Sequence, residues 1–292
     1  GTGDGPTLVI LAVAHGVEVV GVEVIRRVMR ERLDPKRMKG IVVAVPVANP
    51  LALHFGTRNT PQDELNLNRV FPGKPDKSIT ERIGHIIWTE AITKANYLID
   101  LHGNDPPCTA FTLVQRTQDR RISNETQKIA KAFGLTMVYR SQDLLGSQGG
   151  HSGTSTGKAI ENGIPAITIE LIDPRRITKE SVDLGVRGIL NVLKILGMME
   201  GEVEKQPSQF AWGNGQVEDG MTVYANRGGI LVTEKEPGEL ISEGEVIARV
   251  YNPCGEELES IKMPFRGYIR AYTIGATQVL NSGNSVAFVT RT

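Results

Sequence analysis

The sequence predicts an α/β fold, a mixed sheet flanked by helices, followed by a small all-β domain. Three observations carry the prediction. Uncharged apolar runs of strand length alternate with amphipathic segments through residues 1–200. Several of those runs end abruptly in a titratable or amide side chain, at His15, Asn49, His102 and Glu170, and such strand ends are where open α/β sheets place their chemistry. Beyond Gly213 the texture changes to short β-rich pieces separated by turn residues. The expected division is therefore 1–200 for the α/β part, 201–214 for a polar linker containing Pro207 and Gly213, and 215–292 for the β part.

Taken in order, residues 8–14 carry no charge and read as a buried strand. Residues 18–32 place Val19, Val22, Val24, Ile25, Val28 and Met29 against Arg26, Arg27, Arg30 and Arg32, the pattern of an amphipathic helix that Asp34-Pro35 ends. Residues 41–48 are β-branched and uncharged, a second buried strand. Residues 49–77 show little periodicity and read as a long functional loop. Ser78 and Glu81 form a capping-box pattern before a helix over 79–94, in which His85 is read as structural. Strands are expected at 97–101, 109–114 and 135–139, and a helix at 120–133 closed by Gly134. Residues 141–157 are rich in Ser, Gly and Gln, a composition suited to closing over a bound molecule or, more simply, to a plain mobile surface loop, and His151 within them is not read as a metal ligand. A short helix at 158–162, a buried strand at 164–170 and a long helix at 178–199 complete the α/β part. Strands then recur at 221–224, 229–233, 245–251, 268–272 and 285–290.

The bulk properties exclude several function classes. The 292 residues balance 33 basic against 33 acidic side chains, so no overall field draws nucleic acid or an anionic membrane. Cys108 and Cys254 are far apart and form no C-x-x-C pair, which fits a reducing cytoplasm. The first apolar stretch has no basic flank and falls short of the roughly 18 residues that a membrane helix needs. A cytoplasmic protein acting on a small molecule is expected, without membrane or nucleic-acid partners; a homo-oligomer is compatible with the sequence but not specified by it.

His15 and Glu18, three residues apart at a strand-to-helix junction, can reach one metal ion, and His102 at the end of a second apolar run supplies a third ligand. Two histidines and a glutamate are the ligand set of a catalytic zinc with its fourth position open. The competing reading of each histidine is a hydrogen-bonded loop residue. Asp100, two residues before His102 on a strand, shares its face and is a candidate to orient the ring, against the alternative of a buried aspartate bonded to backbone. Arg58, Asn68 and Arg69 suit the carboxylates of an amino-acid substrate, since an arginine fork binds a carboxylate with two parallel bonds; the alternative is that both arginines are solvated. Glu170, at an apolar strand end, suits a general base whose pKa burial raises, against the alternative of an ion pair with Arg175 or Arg176.

His15-Gly16-Val17-Glu18, Asn49-Pro50, Gly56-Thr57-Arg58, Asn68-Arg69-Val70-Phe71-Pro72-Gly73, Asp100-Leu101-His102-Gly103 and Ile169-Glu170-Leu171 occur in the order and at the approximate spacing of the succinylglutamate desuccinylase/aspartoacylase family, which the chain resembles up to roughly Gly197. That family is the deacylase branch of the zinc carboxypeptidase-like fold. The resemblance implies one zinc on His15, Glu18 and His102, substrate binding or carbonyl polarisation by Arg58, Asn68 and Arg69, an oxyanion role for Arg69 or Arg58, and Glu170 as the catalytic proton shuttle. It implies hydrolysis of the amide of an N-acyl amino acid. A carboxypeptidase acting on a peptide C-terminus and a non-catalytic ligand-binding relative are the alternatives. The chain departs from the family pattern at Val17, at Asn66, where an aspartate is usual, and at Leu171-Ile172, where a glycine is expected. None of these removes a ligand.

Residues 228–250, with Ile261-Lys262-Met263-Pro264-Phe265-Arg266-Gly267, resemble the barrel-sandwich fold of biotinyl and lipoyl domains. Lys262 lies in the wrong repeat for their attachment lysine, so a packing or lid element without a prosthetic group is expected.

Overall fold

The computed structural model describes residues 1–140, 153–273 and 278–292. Its elements in chain order begin with β1 (Thr7–Ala12), α1 (Val20–Arg27), β2 (Ile41–Val45), α2 (Pro50–Phe55), α3 (Ile79–Glu90), β3 (Tyr97–Asn104) and β4 (Phe111–Gln115). They continue with α4 (Arg120–Phe133), β5 (Met137–Arg140), α5 (Ser155–Glu161), β6 (Ala166–Ile172) and α6 (Lys179–Ile195). The remainder is β7 (Gln216–Tyr224), β8 (Gly229–Thr233), β9 (Leu240–Ile241), β10 (Val246–Tyr251), β11 (Glu257–Lys262), β12 (Gly267–Tyr272), β13 (Val279–Leu280) and β14 (Ser285–Arg291).

One mixed sheet runs β2-β1-β3-β6-β4-β5-β7-β14-β12-β9, and a second, antiparallel sheet runs β11-β10-β8-β13. The first four strands are parallel, β4 is antiparallel to β6, and β5 and β7 follow β4 in parallel. This is the α/β architecture with a small β region that the sequence predicts. On one face, α1, α4 and α6 cover a core including Ile10, Val24, Phe133, Ile167 and Ile189. On the other, α3 and α5 close a second core around Leu67, Ile92, Leu98 and Ile160. The C-terminal strands of the first sheet and the second sheet enclose a third core of Leu231, Ile247, Val250, Ile269, Val286 and Val289.

Several expected elements shift for physical reasons. The first strand stops at Ala12 because Val13 takes φ 58°, a left-handed conformation that costs a β-branched residue about 1–3 kcal/mol. The Ala12 and Val13 carbonyls hold that turn by accepting from Ala48 N and Asn49 N, each at 2.9 Å. Helix α1 accordingly begins at Val20, and Glu18 sits in the turn before it, with its N–H on His15 O at 3.1 Å. From Val28 to Arg32 the α-helix gives way to a π-helical turn. Strand β2, expected to be buried, is a half-exposed edge strand whose only neighbour among the described strands is β1. The long loop contains α2, which Asn49 caps by accepting from Ala52 N at 3.0 Å; six residues are too short to display a helical period. The capping box of Ser78 and Glu81 is formed, and α4 spans the expected residues.

Between the two sequence regions, Phe210 and Trp212 are buried, and Thr136 Oγ1 donates to both of their carbonyls, at 3.1 and 2.8 Å. Strand β7 then pairs with β5, so the α/β sheet continues without a break into the C-terminal strands.

Candidate metal centre and active site

The adjacent parallel strands β1 and β3 deliver the two histidines. His15 follows the Val13 turn, and His102 lies inside β3 rather than after it, one strand from Glu170 and in register with it on β6. Gly16 is required beside His15, since a Cβ there would stand 2.0 Å from the Ala52 carbonyl carbon.

His15, Glu18 and His102 are all buried, and their candidate ligand atoms lie within 4.8 Å of one another. Glu18 is central: its Oε1 is 2.7 Å from His15 Nδ1 and its Oε2 is 2.8 Å from His102 Nδ1. Behind the rings, Asn66 Oδ1 lies 3.2 Å from His15 Nε2. Asp100 Oδ2 and Asn68 Nδ2 both lie 3.1 Å from His102 Nε2, and of the two only the carboxylate can accept its proton. Acceptors behind both rings favour protons on Nε2 and turn Nδ1 lone pairs toward Glu18. Lone pairs facing a carboxylate at such distances repel unless a further proton or a metal ion lies between them. The donor set therefore fits a metal ion and could hold one.

The electrostatics agree. Burial alone would raise the Glu18 carboxyl, but the imidazoles of His15 and His102 outweigh it and hold the group far below the usual carboxylate range. Burial alone would lower His102, yet Asp100 and Glu18 raise it well above 6.5, so this ring sits where positive charge is favoured. His15 is lowered, chiefly by burial.

Asn66, where the chain departs from the family's usual aspartate, has a structural part in the site. Besides facing His15, its side chain accepts from Asn68 N at 2.8 Å and so caps the turn that carries Asn68 and Arg69. The Asn68 side chain reaches His102 and accepts from Ser155 N at 3.0 Å, while Ser155 Oγ donates to Asp100. Arg69 donates to Asn68 O at 2.6 Å. Gly153, at φ 91°, packs so tightly on Arg69 that a Cβ would stand 2.2 Å from its carbonyl oxygen. Arg58 reaches Glu18 Oε1 at 3.1 Å from an exposed position.

Glu170 is not paired with the nearby arginines: Arg175 bonds Asp105 and Arg176 bonds Asp173. Its Oε2 accepts from Asn104 Nδ2 at 3.0 Å, and burial raises its pKa above 4.5. His15, Glu18, Arg58, Asn68, Arg69, His102 and Glu170 thus all line one cavity of about 720 Å³. Asn104 and Ser155 were not singled out from the sequence, and Asn66 was noted only as a departure, because amides and hydroxyls at loop and strand ends carry no distinguishing spacing. Arg140, Asp219 and Arg270, which also line the cavity, were missed because they come from strands far apart in sequence that only the assembled sheet brings together. His85 lies outside the cavity, and His151 falls outside the described residues.

The model of the succinylglutamate desuccinylase/aspartoacylase catalytic domain matches residues 4–196. The chain belongs to this family of N-acyl amino acid deacylases. A relative, the N-alpha-acetyl-L-2,4-diaminobutyric acid deacetylase of Halomonas elongata, is 29% identical over 255 residues, covering 86% of this chain and 72% of the relative. Among solved structures, a succinylglutamate desuccinylase/aspartoacylase from Rhodobacter sphaeroides superposes with a TM-score of 0.83 at 26% identity, covering 99% of this chain and 86% of that one. The product-bound ectoine utilization protein EutE (DoeB) from Ruegeria pomeroyi has the same fold, with a TM-score of 0.86 at 23% identity and the same coverage. No helix among the described residues is long and apolar enough to cross a membrane.

Proposed function

We propose that this chain is a zinc-dependent amidohydrolase that cleaves the amide of an N-acyl amino acid into a carboxylic acid and a free amino acid. The observation that carries the reading is the convergence of His15, Glu18 and His102 with Glu170 and two arginines in one cavity. Zinc on the two imidazoles and Glu18 would supply Lewis-acid polarisation of the scissile carbonyl and activation of water. Asp100 and Asn66 keep the two rings oriented. Glu170, with one oxygen occupied by Asn104, takes a proton from the attacking water on the other and passes it to the leaving nitrogen as the C–N bond breaks. Its raised pKa makes it a better proton acceptor than an ordinary carboxylate. Arg69, anchored through Asn68 and Gly153, places a guanidinium for the oxyanion, and Arg58 with Asn68 holds a substrate carboxylate. N-acetyl amino acids, the class named for the Halomonas elongata relative, are the first substrates to test.

The test begins with metal content, by mass spectrometry on protein purified without chelator, beside His102→Ala. About one zinc per chain, lost in the variant, is expected, followed by hydrolysis within a panel of N-acyl amino acids. Protein that neither retains zinc nor takes it up overturns the hydrolase reading and leaves a ligand-binding protein. Release of C-terminal residues from peptides, without action on N-acyl amino acids, would instead make it a carboxypeptidase.

A further inference from the structure

The cavity extends well past the groups used above, and its far side is built largely by the C-terminal strands. Arg270 on β12 stands four places beyond β4 along the sheet, yet its guanidinium carbon lies 5.5 Å from the Phe111 ring of β4 and 5.2 Å from the Phe288 ring of β14. The sheet therefore curls far enough to bring this side chain back over the α/β part, where it lines the cavity. Asp219 on β7 holds one end of it, with Oδ1 at 3.1 Å from Arg270 Nη1, and both side chains are nearly buried, at 6% and 10% exposure. Asp219 Oδ1 also accepts from Gly220 N at 3.0 Å, and its Oδ2 faces Arg140 Nε at 4.0 Å.

This is the construction of an anion site. A guanidinium between two aromatic rings is held in position and is poorly hydrated, so little ordering cost is left for a ligand that meets it. Asp219 is the only ion-pair contact of Arg270 among the described residues and engages one corner of a fork that carries five N–H donors, while the same guanidinium acts at longer range on Glu170. Asp219 itself is engaged by a backbone N–H and by arginines on two sides, which makes this wall unfavourable for an ammonium group.

We propose that Arg270, packed against Phe111 and Phe288 and steadied by Asp219, is a specificity-determining anion subsite of the cavity, receiving a carboxylate of the substrate's side chain. The inference rests on the deacylase reading and narrows it: substrates that present an anion at this wall are preferred over those that present a cation. It also gives the C-terminal strands a direct part in substrate choice.

The experiment compares zinc-loaded wild-type protein, Arg270→Gln and Arg270→Lys on N-acetyl-L-glutamate, N-acetyl-L-glutamine and N-α-acetyl-L-ornithine, which differ in side-chain charge. Wild type is expected to favour N-acetyl-L-glutamate at least tenfold in kcat/KM. Arg270→Gln should raise KM for that substrate at least tenfold, more than it changes kcat, and should level the series; Arg270→Lys should restore part of the preference. A wild-type preference for the ornithine derivative, or an Arg270→Gln variant with unchanged KM, overturns the subsite. The wild-type comparison decides even if the variants fail to fold. If no substrate is hydrolysed, the deacylase reading fails, and calorimetric titration with N-acetyl-L-glutamate then decides the subsite separately: binding weakened at least tenfold in Arg270→Gln supports it, whereas absent or unaltered binding overturns it.

Discussion

Asp100→Asn probes the candidate centre without touching a ligand. The Asp100 side chain is fully buried, its Oδ2 lies 3.1 Å from His102 Nε2, and it also accepts from Ser155 Oγ. Asparagine preserves the shape but removes the charge that orients and polarises the ring. Loss of such a carboxylate behind a ligating histidine weakens metal binding about 10–100-fold, or roughly 1.4–2.8 kcal/mol. Zinc affinity measured by competition with a chromophoric chelator reads this directly. Thermal unfolding of the metal-free protein gives an independent check with a defined sign. In that form Asp100 and Glu18 raise His102 well above 6.5, so the stabilisation they provide is fully present below that value and fades as pH rises through the higher folded pKa. The variant should therefore be most destabilised, relative to wild type, in mildly acidic solution, and the difference should shrink toward alkaline pH. An unchanged zinc affinity, with a stability difference independent of pH, would refute the argument that Asp100 acts through His102.

Other substitutions separate chemistry from binding and folding. Glu170→Gln should retain zinc and lower kcat about 10²–10⁴-fold, as measured on the best substrate of the panel. Because burial raises the folded pKa of Glu170, its contribution to stability is favourable below 4.5 and is lost as pH rises through the folded value, so the same variant should be more stable than wild type at neutral pH and not at pH 4 by denaturant titration. Arg69→Ala should leave zinc content unchanged and reduce kcat/KM about 10²–10³-fold if Arg69 stabilises the oxyanion; an effect confined to KM would assign it to substrate binding alone. Phe133→Ala, at a fully buried position beneath α6, should cost about 3–5 kcal/mol in urea unfolding.

Local pattern made much of this molecule legible. The apolar runs before His15, His102 and Glu170 identified the strands, the Ser78 and Glu81 box identified the start of α3, and the period of residues 120–133 fixed α4, because each signal is written within a few neighbouring residues. The same local spacing paired Asp100 with His102, two residues apart on one strand face. The edge position of β2 was not legible, since a strand's neighbours are chosen by the whole sheet and not by its own residues. Nor was the part played by Asn66, 51 residues from the histidine that it faces. Most of all, tertiary structure alone decided the far wall of the cavity. The sequence set apart the C-terminal strands as a separate texture, but only the pairing of β7 with β5 and the curl of the sheet bring Arg270 between Phe111 and Phe288. A side chain's period reports which face of its own strand it occupies; what that face meets depends on strand order, twist and curl, which are properties of the assembled sheet.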